Sequence, residues 1–172
     1  MDCDFDCREF DRYRIDLPYP KVTVTEENKP YARLISGAYA GPGSESTAIA
    51  QYTFHNHFTE EYPDVFTALK YITVVETTHL RLLGDLIKRL GLIPIYATYE
   101  TNTYWKGSYP DYNTEIGKLI AADMQGERDA IAHYNRLIRQ IRDEGMRELF
   151  RRIIMDEERH IEVLRPLYQK YR

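Results

Sequence analysis

The sequence predicts an all-α chain: an antiparallel four-helix bundle with one long crossover between its second and third helices, preceded by an irregular N-terminal arm over residues 1–40. Three observations predict it. Apolar residues recur at alternating spacings of three and four through residues 63–90 and again from residue 144, the period of a helix with one buried face. Short breaks separate the first pair of helical stretches and the second pair, whereas the long segment LIPIYATYETNTYWKGSYPDY separates the two pairs. Finally, the bundle region, residues 41–172, repeats itself: ESTAIAQY at 45–52 returns as ERDAIAHY at 127–134, and ETTH at 76–79 returns as EERH at 157–160.

Each element has a local reason. The arm holds Pro18, Pro20, Pro30, several tyrosines and a short β-like KVTVT, and is expected to pack in extended form on the bundle or on a neighbouring subunit. GPGS then breaks the chain, and Ser44 is placed to cap a helix that starts at Glu45 and runs to about Thr59. Pro63 suits the first turn of the second helix, which carries Leu69, Ile72, Leu83, Leu86 and Leu90 and closes at Gly91. A helix of that length spans ~40 Å at ~1.5 Å per residue, a distance the crossover can travel in extended form. The third helix is expected from Asn113, as cap, to Arg142, with Ile120, Ile131, Tyr134, Ile138 and Ile141 inward. The fourth starts near Glu144 and carries Phe150, Ile153, Leu164 and Leu167, with Pro166 expected to kink or end it.

Composition excludes several classes. With 23 basic against 27 acidic residues and a net charge of −4, there is no basic stripe for nucleic acid. No apolar run reaches membrane-spanning length, and MDCDFDCREF is too acidic and polar for a signal peptide, so a cytoplasmic protein is expected. Cys3 and Cys7 are the only cysteines, which excludes a disulfide framework or a four-cysteine metal module; a frayed terminus is expected there.

Four glutamates and two histidines occupy inward positions: Glu45, Glu76 with His79, Glu127, and Glu157 with His160. Any one alone reads as a solvated or ion-paired side chain. Together they read as metal ligands, because an isolated buried carboxylate costs several kcal/mol or gives up its charge. Each Glu-x-x-His pair lies on one helix face, and antiparallel hairpins bring each lone glutamate level with a pair. Four carboxylates balance two divalent cations, and neutral imidazoles complete the set. Oxygen-rich ligation with one imidazole per ion favours iron or manganese. Tyr52 and Tyr134, two turns after Glu45 and Glu127, lean back toward the cluster, where they are expected to hydrogen-bond a ligand carboxylate or supply an electron. His55 and Asp123 fall near the site as core or neighbouring groups; His57 and His133 are expected at the periphery.

This ligand set resembles that of the ferritin-like di-iron and di-manganese carboxylate proteins, over roughly residues 36–168. The resemblance implies Glu45 and Glu127 as terminal ligands, Glu76 and Glu157 as bridges, and one imidazole, His79 or His160, on each ion. Bacterioferritins have a tyrosine at the offset of Tyr52. AYAGPGSESTAIAQY and ETTHLRLLGDLIKRLG are similar to the manganese-catalase branch and its spore-coat relatives, which implies disproportionation of hydrogen peroxide. A rubrerythrin-like reading implies peroxide reduction with an external electron donor protein; that pattern's second third-helix glutamate is Ala130 here, and the rubredoxin module is missing. A bacterioferritin-like ferroxidase using O2 and a non-enzymatic, metal-stabilised coat protein complete the alternatives. The tyrosine- and proline-rich arm leads to an expected homo-oligomer, such as a dimer.

Overall fold

The computed structural model describes residues 7–172; Cys3, and with it the Cys3–Cys7 pair, lies outside the described residues. The elements are α1 (Cys7–Phe10), α2 (Lys29–Ala40), α3 (Glu45–Asn56), α4 (Pro63–Arg89), β1 (Ala97–Thr98), β2 (Thr103–Tyr104), α5 (Ile116–Gln140) and α6 (Glu144–Tyr171). Helices α3 to α6 are the four bundle helices, with α3 packed on α4 and α5 packed on α6.

One feature of the bundle was not foreseen. α4, α5 and α6 have 27, 25 and 28 residues, but α3 has only 12 and spans about half their length. The rest of its place is filled by α2, which packs on α4 and α5. The arm is therefore helical over Lys29–Ala40, and irregular from Asp11 to Asn28. Local chemistry accounts for the helix: the Asn28 Oδ1 accepts from Tyr31 N at 3.1 Å, Pro30 sits in the first turn, and Ile35, Ala38 and Tyr39 are buried. Pro30 and Gly37 obscure that pattern in the sequence.

Two further expectations are corrected. Asn113 is not the cap of α5; its side-chain amide donates to the Asp111 carboxylate, and α5 begins after Glu115. Of the two outcomes expected at Pro166, a kink or an end, the second does not occur: α6 runs on to Tyr171. Pro166 and Glu162, whose carbonyl loses its partner, both lie on the exposed face, where water can satisfy that oxygen.

The core comes in two apolar clusters. One joins Ile35 and Tyr39 of α2 to Leu83, Leu86 and Ile87 of α4 and to Phe150 and Ile153 of α6. The other joins Tyr52, Leu69, Ile72, Leu119, Ile120 and Leu164. The break Gly41–Ser44 between α2 and α3 falls where the two meet. The crossover carries the antiparallel pair β1–β2, with Ala97 opposite Tyr104, and is pinned to α3 by Trp105 Nε1 on Thr47 Oγ1 (2.9 Å) and Asp111 N on Gln51 Oε1 (2.8 Å). No helix among the described residues is long and apolar enough to cross a membrane.

Candidate metal centre

Between the two apolar clusters lies a polar layer. Glu76 is near the middle of α4, Glu127 near that of α5 and Glu157 near that of α6, while Glu45 is the first residue of α3. Ser44 caps that helix, its Oγ accepting from Thr47 N at 3.3 Å, so the break itself sets the position of Glu45. The fold brings all six candidate residues together, and none is more than 3% exposed. They form two overlapping groups, Glu45–Glu76–His79–Glu157 and Glu76–Glu127–Glu157–His160, in each of which one donor atom per residue lies within 4.8 Å of every other.

The two shared carboxylates divide their oxygens. Glu76 turns Oε2 to His79 Nδ1 and Oε1 to His160 Nδ1, each at 3.0 Å. Glu157 turns Oε1 to His79 Nδ1 (3.4 Å) and Oε2 to His160 Nδ1 (3.1 Å). Each shared residue therefore offers one oxygen to each half. Both Glu157 oxygens, Glu76 Oε1 and His160 Nδ1 are buried without a hydrogen-bond partner among the described residues. Donor atoms at these separations, yet not aimed at one another, fit a set that converges on cations.

Protein electrostatics alone leave this layer under tension. Burial and the neighbouring Glu76 push Glu45 well above the usual carboxylate range and Glu127 up to about 8. Burial opposes charge on Glu76 too, but the His160 and His79 imidazoles hold it below that range. Both histidines are pushed well above the usual imidazole value against burial, His79 by Glu157 and His160 by Glu127 and Glu76. Protons on these groups occupy the role that divalent cations would take.

The tyrosines sit where the sequence placed them, with a crossing over of halves. Tyr52 of α3 donates to Glu127 Oε1 on α5, and Tyr134 of α5 donates to Glu45 Oε1 on α3. Burial and then those carboxylates push both phenols well above their ordinary value, so both stay protonated donors. His55 and Asp123 form a second buried pair, His55 Nδ1 to Asp123 Oδ1 at 2.8 Å, with Gln51 Nε2 on the same oxygen at 2.9 Å. His57 is exposed, and His133 packs against Gly37 of α2, away from the cluster.

Sequence reasoning missed the group behind His79. Its Nε2 lies 3.1 Å from Asp156 Oδ2 and 3.2 Å from Tyr19 Oη. Tyr19 comes from the irregular arm, so no local pattern marks it. Asp156 had a signal: it precedes Glu157, where the other half of the repeat has Val75 before Glu76.

A cavity of about 480 Å³ runs from the surface to the cluster. It is lined by the exposed Gln125 and Asp129, by Tyr109, Pro110 and Asp111 of the crossover, and by the buried Glu45, Glu76, Glu127 and Glu157. Tyr52 and Ala130 line its wall; Tyr134 does not.

Fold and site together define a ferritin-like carboxylate protein. The Rubrerythrin family model matches residues 39–168, and the chain belongs to that family. No curated protein matches it significantly in sequence. Among solved structures it is similar to the manganese catalase KatB from Anabaena, at 21% identity and TM-score 0.82, over 90% of this chain and 78% of that one. It is also similar to Mycobacterium tuberculosis bacterioferritin BfrA (21%, TM-score 0.69, 85% and 88%) and to a dodecameric thioferritin from Bacteroides fragilis (18%, TM-score 0.68, 84% and 88%). At these identities the structural likeness establishes the fold.

Proposed function

We propose that this chain is a dinuclear manganese or iron protein that consumes hydrogen peroxide, with disproportionation of two peroxides to water and O2 as its reaction. The observation that carries this reading is the cavity lined by all four carboxylates, which gives a small oxidant a path to the cluster. Glu45 and Glu127 would be the terminal ligands, Glu76 and Glu157 the bridges, and His79 and His160 the single imidazoles. Bound metal supplies the electrons taken up and returned by the two peroxides.

The chain's own residues hold and shield that chemistry. Four carboxylates cancel the charge of two divalent ions, so a neutral centre sits in the buried layer. Tyr134 and Tyr52 hold the terminal carboxylates Glu45 and Glu127 by O–H donation, each from the opposite helix. Tyr52 also faces the cavity, where its hydroxyl can meet the substrate. Ala130 leaves space on the cavity wall where the rubrerythrin pattern has a glutamate. Family membership favours one second reading, peroxide reduction with an external electron donor protein. We also infer self-association: the crossover exposes the large apolar side chains Ile93, Tyr96 and Tyr104, which supports a homo-oligomer.

The test is metal content per chain from cells given both iron and manganese, followed by an oxygen-electrode assay. About two manganese ions per chain and O2 release from peroxide without reductant are the expected result. Iron with reductant-dependent peroxide loss selects the second reading. Folded protein that takes up neither metal sinks both.

A further inference from the structure

The two halves of the cluster differ behind their histidines. His79 Nε2 faces Asp156 Oδ2 and Tyr19 Oη, at 3.1 and 3.2 Å. Asp156 is itself held firmly: Oδ2 accepts from the Tyr19 hydroxyl at 2.7 Å and faces Arg152 Nη1 at 2.7 Å, while Oδ1 accepts from Ile15 N at 2.7 Å. Arg152 in turn donates to the carbonyls of Leu17 (2.9 Å) and Ile15 (2.6 Å), and lies over the Tyr19 ring. His160 has no such support among the described residues: its Nε2 is buried without a hydrogen-bond partner there, and the position matching Asp156 is the buried Val75.

Asp156 and Tyr19 hold Nε2 and with it the ring, so His79 Nδ1 is already aimed at Glu45, Glu76 and Glu157 and an arriving ion has only to displace its proton. Among the described residues nothing comparable fixes the ring orientation of His160. An ion on that side must therefore fix the ring as well as bind it. We infer that the two ion positions are unequal: the Glu45–Glu76–His79–Glu157 position fills first and holds its ion more tightly, and the Glu76–Glu127–Glu157–His160 position is the weaker and more exchangeable one. Asp156 and Tyr19 are positioning residues in this scheme, and the N-terminal arm sets the affinity of one ion. The inference rests on the dinuclear reading above. Loss of such a histidine partner costs about 10–100-fold in metal affinity, which is the size of the expected difference.

The experiment is a Mn²⁺ titration of the metal-stripped full chain, followed by calorimetry and by the electron paramagnetic resonance of the ion. Wild type should bind in two steps of one ion each, the first at least about tenfold tighter. At one equivalent the spectrum should be that of an isolated ion, not of a coupled pair. His160→Gln should keep the tight step and lose the weak one, and His79→Gln should do the reverse. Asp156→Asn should bring the first step close to the second. Tyr19→Phe leaves Asp156 with Arg152 and Ile15, so it guards against a folding artefact; it should weaken the first step alone. Two equal steps in wild type, or a tight step that survives His79→Gln and disappears in His160→Gln, would overturn the inference and leave the metal reading intact. Absence of any Mn²⁺ binding would remove both.

Discussion

Tyr134 and Tyr52 look interchangeable in the repeat but occupy different surroundings, because only Tyr52 reaches the cavity. Each donates from full burial to a carboxylate, a bond worth about 1.5–3 kcal/mol when one partner is charged. Both Phe variants should therefore lose about 1–3 kcal/mol in urea denaturation. Tyr52→Phe should also change KM for peroxide, whereas Tyr134→Phe should not; equal KM effects would refute the assignment of Tyr52 to the cavity wall. These positions were legible because the same phrase occurs twice with the same spacing. Tyr19 and Arg152 were not legible, since the contacts that join the arm to α6 link residues more than a hundred positions apart along the chain. His133 gives a prediction about pH. Burial against Gly37, with Arg136 nearby, holds its imidazole down at about 4. It is neutral in the fold, while the unfolded chain takes up the proton near the ordinary value of 6.5. The unfolded state thus binds more protons between the two values, and stability from this group is lost as pH falls from 6.5 to 4. With a discount for its partial exposure, the loss is about 1–2 kcal/mol. Denaturation at pH 7 and 4.5 should show the gap between wild type and His133→Gln shifting toward the variant by that amount at the lower pH; a constant gap would count against it.

The break between α2 and α3 does for Glu45 what an unbroken helix could not, since it frees the residue at a helix start and opens the cavity beside it. Gly41 makes the break possible. Its N donates to Gly37 O at 2.9 Å, its own carbonyl accepts from Thr47 Oγ1 at 2.9 Å, and a Cβ there would stand 2.5 Å from the Gly37 carbonyl oxygen. The chain must shift to admit a methyl group, and overpacking of this kind costs about 1–3 kcal/mol. Gly41→Ala should lower stability by that amount and weaken metal binding through displacement of Glu45; Ala132→Gly, on an exposed part of α5, serves as the control for metal binding. Unchanged metal affinity in a destabilised Gly41→Ala would show that the break does not position Glu45. GPGS marks this break in the sequence, but by itself it points only to the start of a helix at Glu45, not to a helix before it. The missing half of that bundle position, α2, was hidden because Pro30 resembles a loop residue when Asn28 is not recognised as a cap. Pro166 misled in the opposite direction: its helix-breaking tendency lost to the packing of Leu164 and Leu167 on either side of it.

Across the molecule, the core is divided. One apolar cluster gathers around α2 and the C-terminal half of α4, the other around α3 and the N-terminal half of α4, and the layer between them holds four carboxylates and two imidazoles. Buried ionisable groups of this kind weaken a fold until each is paired. Without metal, the two halves are joined by the continuous helices α4, α5 and α6 and by a layer in which four buried carboxyl groups are balanced only by protons shared with two imidazoles. Bound cations would turn that layer into a cross-link between four helices. A ligand that binds only the native state at 100 times its Kd adds about 2.7 kcal/mol, and a chain of this size gains roughly 2–4 °C per kcal/mol. Calorimetry should therefore show Tm about 5–10 °C higher with saturating Mn²⁺ than with a chelator. Hydrogen exchange locates the effect. Amides of Val75–Leu80 in α4 and Asp156–Ile161 in α6 should exchange faster than those at the cluster centres, near Ile72 and Phe150, in the chelated protein. On loading, the middle stretches should slow most, because the open states in which they exchange are the ones that lose the ions. If Mn²⁺ binds with two ions per chain yet leaves Tm and these amides unchanged, the layer is already satisfied without metal, and the divided core is not the source of its stability.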